Sequence, residues 1–371
     1  MTAARNREDN APLRGHIDTA TTDTLSTESS PIELIVAEIG EGAQLVECRM
    51  GPQALLDAGL VATLTSLGRT VHVGETVVDE DQTQGGDARR GTSKMDAVHA
   101  FMPRLAEATL RASGTHHFPV VLGGDHSCAV GTWSGVAQAH RAKGRIGLIW
   151  IDAHLDSHTP ETSDSQAPHG MPLAALLGHG SQTLTDLYGW RGKLRPEHAV
   201  VVGARSYEAG EVALLERLGV RVFGMTEVAS RGLEICLQEA IAIVSKGTVG
   251  YGVSFDVDAI DPRDAPGVGS PAAQGIRAHA AVAALAHLAD DPHLLAFELV
   301  EYNPVRDDAA QRTAQVCLSL LSAVLTPKEH RSQAQREGMS SAQSAQSAQS
   351  AQSAQHTTKP RAHSQAISDA A

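Results

Sequence analysis

Leu148-Ile149-Trp150-Ile151-Asp152-Ala153-His154-Leu155-Asp156 is the stretch that decides the fold. Its first four residues are apolar and bulky, which suits a buried strand. The run then breaks into Asp-x-His-x-Asp. Side chains of a strand alternate faces, so Asp152 and His154 point the same way, and Asp156 joins them if the extended path continues. Carboxylates and an imidazole meeting at the end of a buried strand are costly to desolvate unless a counter-charge offsets them. A divalent cation does this, and mixed carboxylate and imidazole ligands suit first-row metals such as manganese, zinc or iron. The plainer reading is a polar loop after a strand, with residues that cap a helix.

Outward from this stretch, strand and helix patterns alternate. Strands are expected at residues 32–37, 118–122, 146–151, 199–203, 220–223, 249–255 and 294–300. Helices are expected at 52–67, 96–112, 128–143, 171–177, 210–218, 233–244, 277–288 and 309–325, with polar loops at 80–92 and 157–170. This alternation predicts an α/β fold of three layers, α/β/α, around a central, mainly parallel sheet. In such sheets ligands sit at the carboxyl ends of the strands. Residues 1–31 are polar and lack a hydrophobic period, so they read as a disordered tail. Residues 327–371 include an unbroken Ser-Ala-Gln repeat at 341–355 and read as a second one. One catalytic domain at 32–326 remains between them.

The chain of 371 residues carries a net charge of −13, which argues against a nucleic-acid or anionic-membrane partner. No apolar run is long enough to span a bilayer, and the N-terminus lacks the apolar core of a signal peptide. Cys48, Cys128, Cys236 and Cys317 are scattered, with no CxxC spacing, which suits a reducing cytoplasm.

Four expected strand ends carry polar clusters: Asp125-His126, Asp152 to Asp156, Asp256-Val257-Asp258 and Glu301. In a parallel sheet all four share one edge. Asp256 and Asp258 again have period-two spacing. His126, Asp152, His154, Asp156, Asp256 and Asp258 exceed what one tetrahedral ion needs and suit two ions sharing carboxylates. Such a pair lowers the pKa of a bridging water and makes a hydroxide nucleophile near neutral pH. Asp125 reads as a group that orients His126 or as a turn residue, Cys128 as a helix-packing residue, and Trp133, Trp150 and Trp190 as packing.

Gly-Gly-Asp-His-Ser at 123–127, Asp-Ala-His-Leu-Asp at 152–156, Ser-Phe-Asp-Val-Asp at 254–258 and Glu-Tyr-Asn-Pro at 301–304 occur in an order that resembles the ureohydrolase family. His169-Gly170-Met171-Pro172-Leu173 is similar to the segment of its arginase branch. The resemblance implies two Mn2+ ions per subunit and hydrolysis of a small guanidino compound, L-arginine in the arginase branch, to urea. It implies His126, Asp152, Asp156 and Asp256 around one ion, and Asp152, His154, Asp256 and Asp258 around the other. It also implies a homo-oligomer, trimer or hexamer. Glu301 would orient the guanidinium, Asp156 relay a proton to the leaving amine, and His169 exchange protons with solvent. His158, Ser165, Glu208 and Glu211 would meet the rest of the substrate.

Two departures bear on substrate choice. His158 stands where arginases commonly carry Asn, and Ser165-Gln166-Ala167 replaces the usual Ser-Gly-Asn. Another guanidino substrate (agmatine, guanidinobutyrate, guanidinopropionate or guanidine) is the alternative these changes favour. A metal-binding regulatory homologue without turnover is a second.

Overall fold

The computed structural model describes residues 30–78, 93–289 and 291–327. The expected loop at 80–92 and, apart from residues 30, 31 and 327, the two expected tails lie outside the described residues. The strands are β1 (Ile32–Glu38), β2 (Val71–Val78), β3 (Phe118–Gly123), β4 (Gly147–Ile151), β5 (Ala199–Val202), β6 (Arg221–Phe223), β7 (Tyr251–Asp256) and β8 (Leu294–Val300). They form one sheet in the order β2-β1-β3-β8-β7-β4-β5-β6, and every pairing is parallel. The four strands expected to carry the polar clusters, β3, β8, β7 and β4, are therefore neighbours at its centre.

The helices are α1 (Gly51–Asp57), α2 (Leu60–Ser66), α3 (Lys94–Ser113), α4 (Ala129–His140), α5 (Pro172–Leu176), α6 (Gln182–Thr185), α7 (Ala209–Leu218), α8 (Met225–Arg231), α9 (Leu233–Val244), α10 (Ala278–Leu285) and α11 (Arg312–Leu325). They cover both faces of the sheet. On β4 the faces separate residue by residue. Ile149 and Ile151 join a core under α2, α9, α10 and α11, whereas Leu148 and Trp150 join a core under α4 and α7. A third cluster packs α3 against β1 and β3. The expected three-layer α/β/α architecture is what the chain adopts.

Local differences have physical causes. The helix expected at 52–67 is two helices, because Gly59 adopts a left-handed conformation with φ 91° and restarts the chain at Leu60. β2 was not expected: it is an edge strand whose side chains are mostly exposed, with only Val77 buried, so it lacks the alternation that marks a half-buried strand. α8, a short helix before α9, was also not expected.

Close packing at the sheet centre depends on Gly252 of β7. A Cβ there would lie 1.9 Å from Cζ3 of Trp133, an indole with no solvent exposure. The missing side chain makes room for Trp133, whose Nε1 donates to Glu298 Oε2 at 2.9 Å. Among the described residues, no helix is long and apolar enough to cross a membrane.

Candidate metal centre

At the end of β3 the chain turns sharply under β1. A Cβ on Gly124 would sit 1.8 Å from the carbonyl oxygen of Ile39, so only glycine fits this approach. Asp125 caps the single 3-10 turn His126–Cys128, accepting from the Ser127 amide at 2.9 Å and from the Gly42 amide at 2.8 Å. Its role is that of a turn residue. The turn presents His126 to three carboxylates. Its Nδ1 lies 3.2 Å from Asp152 Oδ2, 3.0 Å from Asp156 Oδ2 and 3.1 Å from Asp256 Oδ2.

The two period-two readings converge, but not by extended backbone. Asp156 has φ 46°, a left-handed conformation uncommon for a residue with a Cβ. Asp258 lies in the 3-10 turn Val257–Ala259, capped by Asp256, whose Oδ1 accepts the Asp258 amide at 2.7 Å. A second group forms beside the first: His154 Nδ1 is 3.4 Å from Asp152 Oδ1 and 3.2 Å from Asp258 Oδ2. Asp152 thus serves both groups, one oxygen to each. Asp256 stands with the first group only; the resemblance placed it in both.

This donor set fits two cations. His126 is 1% exposed, and its Nδ1 has no hydrogen-bond partner. The other ring nitrogen, Nε2, lies 2.9 Å from Ser254 Oγ, which donates onward to Glu298 Oε2 at 2.5 Å. With its hydroxyl hydrogen committed to Glu298, Ser254 receives the Nε2 proton, and Nδ1 is the nitrogen turned toward the three carboxylates. Burial opposes a charge on His126, but Asp152, Asp156 and Asp256 outweigh it and hold the imidazole well above its ordinary value. The pocket therefore calls for a positive partner at Nδ1, which a bound cation would supply in place of a proton. Donors ~2.1 Å from one ion at right angles stand ~3 Å apart, close to the spacing found. The charge balance points the same way: four carboxylates meet two imidazoles. Burial, then the charges of Asp258 and Asp152, push Asp256 well above the usual carboxylate range. Bound cations would reverse that.

Glu301 stands at the end of β8 with φ 66°, again left-handed. Its Oε1 accepts the His126 amide at 2.9 Å and lies 3.0 Å from His169 Nδ1. Burial opposes the charged forms of this pair, but their mutual attraction outweighs it. Glu301 is held below its ordinary value, and His169 is lifted to about 9.

His154, Asp156, Asp256, Asp258, His169 and Glu301 line one cleft of about 200 Å³. The same cleft collects the four residues expected to meet the substrate: His158, Ser165, Glu208 and Glu211. His158 Nε2 lies 3.2 Å from Glu208 Oε2 and 3.4 Å from Glu211 Oε2, and its Nδ1 is 3.1 Å from Thr162 Oγ1. Glu211 is buried at the start of α7, where it accepts the Ser157 and Glu208 amides at 3.2 and 2.9 Å. Glu208 is open to solvent.

The profile of the arginase family matches residues 32–326 of this chain. The chain belongs to the arginase family. It is 36% identical over 301 residues to the arginase of Bacillus caldovelox, covering 80% of this chain and 99% of that one. It is 40% identical over 280 residues to the arginase of Brevibacillus brevis, covering 75% and 92%. The crystal structure of Bacillus subtilis arginase superposes with a TM-score of 0.73 at 33% identity, over 81% of this chain and 99% of that one. This arginase-family ureohydrolase is a hydrolase of linear amidines that carries the residues of a binuclear metal site.

Several residues around the centre of this ureohydrolase were not singled out from the sequence. Trp150, read as packing, donates from Nε1 to Asp152 Oδ2 at 2.8 Å and stacks on His126 with ring centroids 4.0 Å apart. Its position two residues before Asp152 was the available signal. Ser254 stands two before Asp256 in the same way. Glu298, fully buried in the otherwise apolar β8, was visible as a charge that needs partners. Cys128, read as packing, has its Sγ 3.6 Å from Glu298 Oε1. Arg205 clamps the turn after β7. Its guanidinium donates to the carbonyls of Asp258 and Ala272 at 2.8 Å, and of Ala273, Ala259 and Gly203 at 3.1 to 3.3 Å.

Proposed function

We propose that this protein is an arginase, a binuclear manganese enzyme that hydrolyses L-arginine to ornithine and urea. The observation that carries the reading is Nδ1 of His126 facing Asp152, Asp156 and Asp256 within 3.2 Å in a chain 36–40% identical to arginases. His126, Asp152, Asp156 and Asp256 would hold one Mn2+, and Asp152, His154 and Asp258 the other. Bound there, the ions supply Lewis acidity and a nucleophilic hydroxide at neutral pH.

The protein's own groups do the rest. A guanidinium keeps its proton at neutral pH, so it needs an anionic partner. Glu301 uses Oε1 for the His126 amide and His169, which leaves Oε2 to accept guanidinium hydrogens. Attack at the guanidinium carbon gives a tetrahedral intermediate whose C–N bond breaks once the leaving amine gains a proton. Asp156, inside the cleft, relays that proton from the hydroxyl just added to the carbon, whose oxygen becomes the urea carbonyl, and His169, part-exposed, exchanges protons with solvent. At the far end His158, Ser165, Glu208 and Glu211 meet the α-amino acid group.

We assign these steps to the domain at 32–326, with the flanking segments outside the chemistry. The oligomer is a trimer or hexamer. Four buried free thiols suit a cytoplasmic enzyme.

The test is urea release by manganese-loaded protein from L-arginine, agmatine, guanidinobutyrate, guanidinopropionate and guanidine. Preference for L-arginine upholds the assignment. A second reading, another guanidino substrate, draws on the contact of His158 with both Glu208 and Glu211. Preference for one of the other compounds supports that reading. Two bound metals with no urea from any of them would leave a metal-binding protein without turnover.

A further inference from the structure

A second polar cavity lies away from the metal centre. Its walls come from the end of α4, the turn into β4, and the 190–193 segment. It has a volume of about 230 Å³ and is lined by Arg141, Arg145, Trp190 and Lys193 among others. Its composition is unusual for this chain. The protein carries 13 excess negative charges, and Arg111, Arg191, Arg231, Arg263 and Arg277 each lie against a carboxylate. Around this cavity, three cations gather on one indole instead. Arg141 Cζ, Arg145 Cζ and Lys193 Nζ lie 4.7, 5.3 and 4.7 Å from the Trp190 ring centroid.

Among the described residues, none of these three cations makes an ion pair. Lys193 is 1% exposed, and its ammonium is held by the carbonyls of Thr185 (2.9 Å) and Trp190. Arg145 donates to the Gly192 carbonyl at 3.0 Å. The nearby acid, Asp186, is occupied by Arg191 at 2.8 and 3.3 Å and by Thr185. Burial, with the charges of Arg141 and Arg191, outweighs Asp186 and pushes the Lys193 ammonium down to about 8. Like charges held this close repel one another, and contact with an aromatic face offsets only part of that cost. Trp190 itself is fixed, its Nε1 donating to Gln138 Oε1 at 2.9 Å.

We propose that this cavity is a binding site for a phosphate-bearing anion, coordinated by Arg141, Arg145 and Lys193 beside Trp190. Guanidinium forks match phosphate oxygens in pairs, and a tetrahedral dianion offers oxygens to three cations at once. The ligand is either the free ion or a small phosphate ester.

The experiment titrates the manganese-loaded enzyme with inorganic phosphate and, separately, with AMP, at constant ionic strength set by chloride. Tryptophan fluorescence and equilibrium dialysis give the affinity and stoichiometry. Saturable binding is expected, with a change in the Trp190 signal. Arg141→Gln or Arg145→Gln should weaken it at least ~10-fold, the loss of a hydrogen bond to a charged group, while urea release stays unchanged. Phosphate binding identifies the free ion as sufficient, and binding of AMP alone identifies the ester; either supports the site if the variants weaken it. Anion bound at the metal centre instead would keep its affinity in both arginine variants. That result, or no saturable binding of either probe, overturns the proposal.

Discussion

Oε1 of Glu301 lies 3.0 Å from Nδ1 of His169, and the same oxygen accepts the backbone amide of His126 at 2.9 Å. One carboxylate oxygen thus ties the proposed proton-exchanging histidine to the turn that carries a proposed metal ligand. The attraction lifts His169 to about 9, above its ordinary 6.5. A raised histidine pKa adds stability that is complete below the ordinary value and is lost as pH rises through about 9. In metal-free protein, NMR should show His169 titrating near 9. Glu301→Gln should bring the midpoint down toward 6.5; an unchanged midpoint would show that Glu301 is not the cause.

Ser254 receives the His126 Nε2 proton and passes its own hydrogen bond to Glu298. Ser254→Ala should lower manganese affinity about 10- to 100-fold, the usual effect of removing a partner behind a metal-bound histidine. Competition with a fluorescent chelator measures this, and circular dichroism checks that the metal-free fold is retained. Equal affinity in the variant and the parent would remove Ser254 from the metal site.

Gly252→Ala drives a methyl group into Trp133. The nearest ring atom is 1.9 Å from the new Cβ, so the indole or the strand must shift. Overpacking of this kind costs about 1–3 kcal/mol, read as a lower urea midpoint with an unchanged m-value.

Arg205→Lys keeps the charge but replaces a planar fork with a point donor that cannot reach five carbonyls. The turn bearing Asp258 should loosen. A lower Tm and weaker binding of the second manganese ion, with the first less affected, is the expected pattern in calorimetry.

Chelation of divalent ions should lower Tm, because ions bound only by the native state stabilise it by mass action. Metal analysis of the reloaded protein should give two Mn2+ per chain. Asp152→Asn should reduce both sites, since its two oxygens face His126 and His154 separately.

The sequence carried most of the fold because its strands are apolar and central. The segment expected at 294–300 is β8, residue for residue, and 233–244 is α9. Signals failed where burial is one-sided or backbone geometry intervenes. β2 is an exposed edge, and Gly59 interrupts a helical pattern that has no other break. At the site, residue types and spacing revealed which groups gather, but not how. Asp156 and Glu301 reach it through left-handed backbone that alternation cannot foresee. Ser254 looked like an ordinary strand residue because its partners, His126 and Glu298, lie far away in the chain, whereas Trp150 beside Asp152 and the lone charge of Glu298 gave signals that spacing alone does not turn into contacts.

The strand order has a consequence for synthesis. β2, β1 and β3 make one half of the sheet and β7, β4, β5 and β6 the other, and within the sheet β8 alone pairs with both. Residues 294–300 are therefore the bolt of the sheet. A nascent chain that has not yet released them from the ribosome holds two half-sheets with His126 on one and Asp152, His154, Asp256 and Asp258 on the other. Long-range parallel pairing of this kind forms late, so the sheet edge that carries all the ligands is complete only once β8 has paired with both of its neighbours. A truncated chain ending before residue 294 would expose two open edges and be a substrate for chaperones and proteases rather than for manganese.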